Sequence, residues 1–150
     1  MSLREEIIND FKAAFKGRRV LEKGVLSLLQ SEIKNCEIEV GKREKGLDDN
    51  EIVKLVQKAI KQRKDSASQY AEANRPELVE NEIAEIDVLE KYLPKQASDK
   101  EIEEEVKKVI ENVSAKNTSD FGKVMGAAMS VLQGKTDGGR VRDIVQKLLA

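Results

Sequence analysis

The chain has 150 residues, of which 39% are hydrophobic, 37% charged and 3% aromatic, and its formal net charge is −1. It contains no histidine and one cysteine, Cys36, so histidine-dependent catalysis, histidine-ligated zinc and an internal disulfide are excluded. No apolar run approaches the roughly 20 residues that cross a bilayer, and the N-terminus lacks the apolar segment of a secretory signal. The sequence therefore predicts a soluble cytoplasmic protein with no membrane partner, no cofactor and no metal.

Apolar residues recur at helical spacing along nearly the whole chain, and no stretch of four or more residues alternates as a β-strand does. The first predicted helix has a bulky apolar residue at every fourth position: Leu3, Ile7, Phe11 and Phe15. Ser2 and Glu5 are spaced as a capping box, which predicts that this helix begins directly after Ser2.

The second predicted helix carries a wide apolar stripe that contains one glycine. The stripe consists of Val20, Leu21, Val25, Leu28, Leu29, Ile33 and Cys36. Because glycine in a helix costs about 1 kcal/mol relative to alanine, Gly24 predicts a close helix crossing or a break. Cys36 is interpreted as a small core residue rather than a nucleophile. The charged, glycine-bounded segment 41–46 predicts a solvated loop.

Two further helices are predicted before residue 94. Asp48 or Asp49 is the expected N-cap of the third helix, and Pro76 marks the first turn of the fourth. The apolar positions of the third helix are Ile52, Val53, Val56, Ala59, Ile60, Ala67 and Tyr70. Those of the fourth helix are Leu78, Val79, Ile83, Ile86 and Leu89, and Tyr92-Leu93-Pro94 ends it.

The composition changes at Pro94, and three more helices are predicted beyond it. Ser98 and Glu101 form a second candidate capping box, and glycines separate the last two helices. The sequence therefore predicts an all-α, two-domain helical protein. Residues 1–94 form an N-terminal four-helix bundle, and residues 98–150 form a small C-terminal three-helix domain.

A run of cations lies on the third predicted helix. Lys54, Lys58 and Lys61 have the spacing i, i+4 and i+7, so they share one helix face, and Arg63 and Lys64 follow. No acidic residue interrupts residues 54–64. This arrangement is typical of a phosphate-contacting surface, and a solvated helix face is the alternative interpretation.

The last 30 residues are also basic, with five cations against two acids. The cations are Lys123, Lys135, Arg140, Arg142 and Lys147. The glycine-rich segment 134–139 precedes the last helix, where backbone N–H groups are able to bind a phosphate. An ordinary connection between two helices is the alternative.

Carboxylates and a phenol offer the only other candidate chemistry. Glu82 and Glu85 share a helix face, and Tyr92 lies just beyond that helix. Acid–base catalysis is one interpretation, and salt bridges beside the core, with Tyr92 as a packing or capping residue, are the other. The absence of histidine, of a nucleotide-binding loop and of a second carboxylate cluster disfavours an enzyme.

Several segments, which occur in the same order along the chain, resemble the GatB/YqeY family. Its members are small proteins similar to the tail of the B subunit of the glutamine-dependent tRNA amidotransferase. The matching segments are Lys61-Gln62-Arg63-Lys64-Asp65-Ser66, Arg75 with Leu78 and Glu82, Glu85-Ile86, Tyr92-Leu93-Pro94, Gly122-Lys123-Val124-Met125, Gly134 and Asp137-Gly138. One departure is visible: the chain has Leu26-Ser27 where family members often have Leu-Arg. Any role of that arginine is therefore absent here.

The resemblance implies a helical bundle followed by a smaller helical domain, and a link to tRNA, which the related tail of the amidotransferase helps to hold. It also associates the chain with carbon–nitrogen ligase activity with glutamine as amide donor, a reaction that would need other chains. Our first hypothesis is a non-catalytic tRNA-binding or tRNA-associated accessory protein. The candidate tRNA-binding residues are Lys54, Lys58, Lys61, Arg63, Arg75, Lys123, Lys135, Arg140 and Arg142. The alternative is a protein-interaction module that contributes to such a ligase assembly, with an aminoacyl-tRNA synthetase or amidotransferase complex as partner.

Overall fold

The computed structural model describes all 150 residues, Met1–Ala150. It contains seven α-helices, one short 3-10 helix and no β-strand, which confirms the all-helical prediction. The α-helices are α1 (Leu3–Lys16), α2 (Val20–Glu39), α3 (Asp49–Glu72), α4 (Pro76–Glu90), α5 (Asp99–Val113), α6 (Phe121–Leu132) and α7 (Gly138–Leu149), and the 3-10 helix is Thr118–Asp120. The chain divides into two compact units, Met1–Leu93 with α1 to α4 and Pro94–Ala150 with α5 to α7. None of the helices combines the length and the apolar character needed to span a bilayer.

The N-terminal caps of α1 and α3 satisfy backbone N–H groups that have no partner within a helix. Ser2 Oγ accepts a hydrogen bond from the backbone N of Glu5 at 3.2 Å, and the Glu5 carboxylate accepts one from the backbone N of Ser2 at 3.1 Å. Asp48 and Glu51 form the same reciprocal capping box at α3. The predicted start of α1 is therefore confirmed, and Asp48 is the N-cap of α3.

The remaining predictions about helix starts are confirmed in part. Asp49, the other candidate cap of α3, instead accepts a hydrogen bond from the backbone N of Leu3 at 2.9 Å, which joins the starts of α3 and α1. Pro76 occupies the first turn of α4 as predicted. Ser98 Oγ accepts from the backbone N of Glu101 at 3.2 Å, so Ser98 caps α5, but the reciprocal bond of the capping box is absent.

The core of the N-terminal unit is aliphatic apart from one tyrosine. Its buried members are Ile7, Val25, Leu26, Leu29, Ile33, Leu47, Ile52, Val56, Ala59, Ile60, Ile86, Leu89 and Tyr92. Each large aliphatic side chain buried in this way contributes about 1.5–3 kcal/mol. The four residues of α3 in this list lie on the side of the helix away from Lys54, Lys58 and Lys61, so packing of the core leaves these lysines in solvent.

Several positions of the predicted apolar stripes are not part of this core. Helix α2 continues without a break through Gly24, and no atom lies within 4 Å of the position that a Cβ would take there. The expectation of a break or a close crossing is therefore wrong. Val20, Leu28 and Ile83 are exposed, because the neighbouring helices cover only one side of α2 and α4. Cys36 is partly buried against the core.

One carboxylate takes a core position of α2. Glu37 is 3% exposed and forms an ion pair with Arg4 of α1. The 41–46 loop lies against this pair, since a Cβ on Gly46 would lie 3.6 Å from Arg4 Nη1 and 3.6 Å from Glu37 Oε2. Gly46 has a φ of +81°, a conformation that glycine adopts without strain. The predicted solvated loop therefore also covers a buried ion pair.

The core of the C-terminal unit consists of aliphatic side chains from all three of its helices. Its buried members are Ala97, Ile102, Val106, Val109, Val124, Ala128, Leu132, Val141, Val145 and Leu149. Ala97 N donates to Lys135 O at 2.8 Å, and Gln96 Nε2 donates to Gly134 O at 2.9 Å. The segment before α5 is therefore joined to the segment before α7.

Candidate nucleic-acid interface

Three lysines form an uninterrupted positive face on α3. Lys54, Lys58 and Lys61 are all exposed, and none of them forms an ion pair. From the first to the last of these lysines the helix rises about 10 Å. Lys64 is exposed one turn beyond Lys61, and Asp65 then ends the run of positive charge. We call Lys54, Lys58 and Lys61 the lysine face of α3.

Arg63, on the same helix, points elsewhere and serves a different purpose. Its side chain is 11% exposed, and its Nε lies 3.4 Å from a carboxylate oxygen of Glu85 on α4. Its Nη1 donates to the backbone O of Ala59 at 3.0 Å. Arg63 therefore fixes the packing of α3 against α4, and the structure does not bring it together with the lysine face.

Arg75 lies at the N-cap position of α4 and is paired on the surface. Its Nε donates to the Glu77 carboxylate at 2.6 Å, and both side chains are more than half exposed. The hydrogen bond from Arg75 holds the pKa of Glu77 below its ordinary value. The positive charge of Arg75 is thus compensated locally, unlike the charges of the lysine face.

The four predicted RNA-binding cations of the C-terminal unit differ in whether an acidic side chain pairs with them. Lys135 and Arg142 are exposed and form no ion pair. Lys123 Nζ donates to the backbone O of Val113 at 3.4 Å, a weak and exposed contact. Arg140 forms an ion pair with Asp99, which places a carboxylate directly on its guanidinium. Of these four cations, only Arg140 is paired with a carboxylate.

The glycine-rich segment before α7 is already capped by a side chain of the protein. Asp137 is the N-cap of α7, and its carboxylate accepts a hydrogen bond from the backbone N of Arg140 at 3.0 Å. A carboxylate therefore occupies the position that a phosphate would take at this helix start. The geometry favours the interpretation of this segment as a connection between two helices.

Tyr92 does not have the geometry of a catalytic base. Its hydroxyl donates to Asp10 Oδ2 at 2.7 Å, and Lys91 Nζ donates to the same oxygen at 3.1 Å. Burial, and then the hydrogen bond to Asp10, raise the pKa of Tyr92 far above its ordinary value, so the phenol stays protonated at neutral pH. The three residues line a cavity of about 350 Å³ together with Arg19 and Glu22.

The other candidate acid–base groups are also engaged with neighbours. Burial, and next the adjacent Glu85, raise the pKa of Glu82 above its ordinary value. Glu85 faces Arg63, as described above. No group of three acidic or cysteine side chains is close enough together to hold a metal ion. The salt-bridge interpretation is therefore supported for Glu85, whereas Glu82 forms no ion pair.

A second group of cations was not among the predicted sites. Between residues 12 and 23, where α1 turns into α2, five cations accompany three exposed apolar side chains. The charge density of this segment was visible in the sequence. However, Phe15 and Val20 match the apolar period of α1 and α2, and this period indicated a core position rather than a surface one.

Comparison with known proteins gives a consistent family. The family model described as "Yqey-like protein" matches residues 4–149. The chain is 38% identical over 114 residues to "Altered inheritance of mitochondria protein 41, mitochondrial" of Komagataella phaffii, covering 71% of this chain and 59% of the relative. The protein of the same name from Lachancea thermotolerans is 36% identical over 112 residues, covering 73% and 59%. That of Clavispora lusitaniae is 30% identical over 138 residues, covering 83% and 79%.

The chain spans about three fifths of the length of the first two of these relatives. All three are named as mitochondrial proteins. The expectation of a cytoplasmic location is corrected by these names, since composition alone does not distinguish between compartments that keep thiols reduced. The family itself agrees with the resemblance found in the sequence. Because the family model covers nearly the whole chain, the chain belongs to the YqeY-like protein family.

Proposed function

We propose that this chain is a non-catalytic tRNA-binding or tRNA-associated accessory protein that contacts the ribose–phosphate backbone through the lysine face of α3. The observation that carries the proposal is the exposure of Lys54, Lys58 and Lys61 without any acidic partner. The resemblance to the amidotransferase tail, which helps to hold tRNA, supports tRNA as the polyanion. The names of the relatives favour a mitochondrial compartment for such a protein.

The chemistry of the chain favours folded RNA over single strands. A chain with a net charge of −1 is not a general polyanion binder, so the attraction has to be local. Aromatic residues make up 3% of the chain, too few for the stacking platforms that single-strand binders use. Folded RNA is recognised mainly by its shape and by phosphate contacts. An ordered row of lysines meets that requirement.

The test is a filter-binding titration of the full chain with tRNA, at about 50 mM and about 200 mM salt. The triple variant Lys54→Ala, Lys58→Ala, Lys61→Ala is expected to bind at least tenfold more weakly at the lower salt concentration. The slope of log K against log salt should fall by about 2 to 3, because each lost phosphate contact removes about 0.9 from the slope.

A matched control separates a specific surface from a general effect of charge. Lys34, Lys45 and Lys100 are exposed lysines without ion pairs outside the lysine face. Replacing these three by alanine removes the same charge and is expected to leave tRNA binding within about twofold. No binding by the unchanged chain at low salt contradicts the proposal. Equal losses in the two triple variants contradict the assignment to α3.

The C-terminal unit provides a second set of proposed contacts, Lys123, Lys135, Arg140 and Arg142. We propose residues 1–94 and 98–150 as two domains that each contribute to RNA binding. The triple variant Lys123→Ala, Arg140→Ala, Arg142→Ala in the full chain measures the second contribution by the same titration. The expected loss is smaller than for the lysine face, since Arg140 is already paired with Asp99. An unchanged affinity removes the C-terminal contacts from the proposal.

A second candidate function is a protein-interaction module that contributes to a carbon–nitrogen ligase assembly with glutamine as amide donor. The observation that favours it is a groove of about 680 Å³ between α2 and α3, which is lined by Cys36, Ile38 and Leu55 and also by Lys58 of the lysine face. A pull-down with the tagged chain after nuclease treatment distinguishes the two functions. Retention of amidotransferase or synthetase subunits, lost in Ile38→Glu, supports the module, and loss of all partners with the RNA contradicts it.

A further inference from the structure

The turn between α1 and α2 exposes apolar side chains that the core does not use. Phe15 is 60% exposed, Val20 is 80% exposed and Leu21 is 36% exposed. All three lie within seven residues, at the end of α1 and the start of α2. We call them the apolar tip. Exposed apolar groups gathered at one place on a protein mark a contact surface more often than single scattered ones do.

Five cations flank the apolar tip along the chain, at the end of α1, in the turn and at the start of α2. We call them the basic collar: Lys12, Lys16, Arg18, Arg19 and Lys23. Glu22 is the one acid within residues 12–23, so five positive charges less one negative charge give +4, against −1 for the whole chain. Glu22 lies 3.5 Å from Arg19, and the nearby Asp10 is held by Tyr92 and Lys91. Four members of the collar form no ion pair.

The turn holds a cation in a strained backbone conformation. A residue in the left-handed region follows each of helices α1, α3 and α5: Arg18, Asn74 and Ser114, with φ between 55° and 56°. Asparagine enters this region far more readily than arginine does. Gly17, which adopts it without strain, stands one residue earlier with a φ of −80°. Arg18 therefore lies in the turn in a backbone conformation that glycine or asparagine would adopt with less strain.

We propose that the apolar tip and the basic collar bind the surface of an anionic phospholipid membrane. The tip enters the boundary between headgroups and acyl chains, and the collar lies against the phosphate groups. Burial of apolar area and attraction to anionic lipids act together in peripheral binding of this kind. The expectation of no membrane partner rested on the lack of a spanning segment, and surface binding requires none.

The apolar tip distinguishes this surface from one that binds RNA. Lys23 Nζ lies 4.8 Å from the centre of the Phe15 ring, so a cation already covers one face of the ring on which a base would stack. Val20 and Leu21 offer neither hydrogen bonds nor a stacking plane, whereas acyl chains accept such groups readily. No large apolar side chain of α3 itself is exposed, although Ile38 of α2, which is 51% exposed, lines a groove with Lys58.

The test is co-sedimentation of the full chain with vesicles of phosphatidylcholine that contain about 30 mol % phosphatidylglycerol, and with vesicles of phosphatidylcholine alone. We expect binding to the anionic vesicles at low salt, weaker binding at moderate salt and none to the neutral vesicles. Val20→Ser together with Leu21→Ser should weaken binding at least tenfold, because two exposed apolar groups are lost. Both side chains are exposed, so the fold should remain intact.

Arg18→Gly separates binding from folding. Glycine relieves the strain at this position, so the melting temperature should not fall, whereas loss of one collar charge should weaken vesicle binding about fivefold. Ile83→Ser is the matched control for an exposed apolar group in the same unit, and Lys34→Ala is the control for charge. Neither control should change vesicle binding by more than about twofold.

Three results would overturn the proposal. The first is no binding of the unchanged chain to anionic vesicles at low salt. The second is an equal loss of binding in the controls and in the turn variants. The third is a loss of tRNA binding in the turn variants while vesicle binding stays unchanged, which would assign this surface to RNA. The lysine face variants provide the converse test, since they should bind vesicles normally.

Discussion

The two units of the chain are held together by different kinds of contact. In Met1–Leu93, polar contacts join separate helices: Arg4–Glu37, Arg63–Glu85 and Asp10–Tyr92. In Pro94–Ala150 the core is aliphatic, and the one ion pair that joins two of its helices, Arg140 with Asp99, is exposed. Both units are therefore held by aliphatic packing, and the first unit adds partly buried polar contacts between elements of its fold.

This difference bears on how the candidate sites are held in place. Aliphatic packing is non-directional, whereas a polar contact fails when either partner is lost and leaves the other partner unsatisfied. The ion pair between Arg63 and Glu85 links α3 to α4, so a polar contact adds to the core packing that positions the lysine face. We expect both units to respond to the loss of volume, and the N-terminal unit to respond more strongly than the C-terminal unit to the loss of single charges and to pH.

The largest expected effect is in the core of the C-terminal unit. Ile102 on α5 is fully buried, and Ile102→Ala should lower the free energy of unfolding of this unit by about 4 kcal/mol, because it removes buried groups and leaves a cavity. Ile102→Val should cost about 1 kcal/mol. Residue-resolved hydrogen exchange measures the effect within the unit.

Both tyrosines, Tyr70 and Tyr92, lie in the N-terminal unit, and the chain has no tryptophan. Tyrosine fluorescence during urea unfolding therefore reports the N-terminal unit alone. The tyrosine transition should stay unchanged in Ile102→Ala. A tyrosine transition that moves as far as the C-terminal amides do would contradict the separation of the two units.

The next effect concerns the buried carboxylate of the N-terminal unit. Glu37→Ala leaves the guanidinium of Arg4 without its partner and should lower the free energy of unfolding by about 3 kcal/mol. This value is at the lower end for buried pairs, because the side chain of Arg4 is 34% exposed and retains some water. Urea unfolding followed by tyrosine fluorescence measures it.

Glu39→Ala is the matched control, since Glu39 is exposed and forms no ion pair. It should change stability by less than about 0.5 kcal/mol. Replacing both members of the pair, Arg4→Met with Glu37→Leu, should recover much of the loss. A double variant as unstable as Glu37→Ala would show that the pair itself, and not the unpaired charge, carries the effect.

Local features of this fold were predictable from the sequence, and contacts between distant residues were not. The caps at Ser2 and Asp48 depend on residues three positions away, so the spacing alone indicated them. The burial of Glu37 depends on Arg4, which lies 33 residues away, and a helical pattern assigns a glutamate to solvent. Arg63 and Glu85 also lie far apart in the sequence, and because this pair removes Arg63 from the surface, the run of cations overstated the size of the exposed positive surface.

The third effect is a dependence of stability on pH in the N-terminal unit. Burial, and then the hydrogen bond to Asp10, raise the pKa of Tyr92 above its ordinary value of 10.0. A raised pKa means that the folded state retains the proton. The contribution of Tyr92 to the free energy of unfolding is therefore complete below about pH 10. Above that pH it falls by about 1.4 kcal/mol per pH unit.

Asp10 gives the opposite dependence at acid pH. Burial alone would raise the pKa of Asp10, but hydrogen bonds from Tyr92 and Lys91 outweigh it and hold the pKa below 3.8. The contribution of Asp10 is therefore present above about pH 4 and is lost as pH falls through the folded pKa. Urea unfolding at a series of pH values, followed by circular dichroism, should show both losses. Tyr92→Phe should reduce both, whereas Tyr70→Phe should leave the acid dependence intact.

The smallest expected effects are gains in stability, one in each unit. Gly24 in α2 and Gly126 in α6 lie within helices, are exposed and have no atom within 4 Å of the position of a Cβ. Gly24→Ala and Gly126→Ala should each raise the free energy of unfolding of their own unit by about 1 kcal/mol, because alanine loses less backbone entropy on folding. Gly139→Ala is the control, since its Cβ would lie 3.1 Å from Asp137 Oδ1, the cap of α7, and should bring no such gain. A gain from Gly139→Ala equal to the others would mean that the cap adjusts freely, and that helix propensity alone decides stability at all three sites.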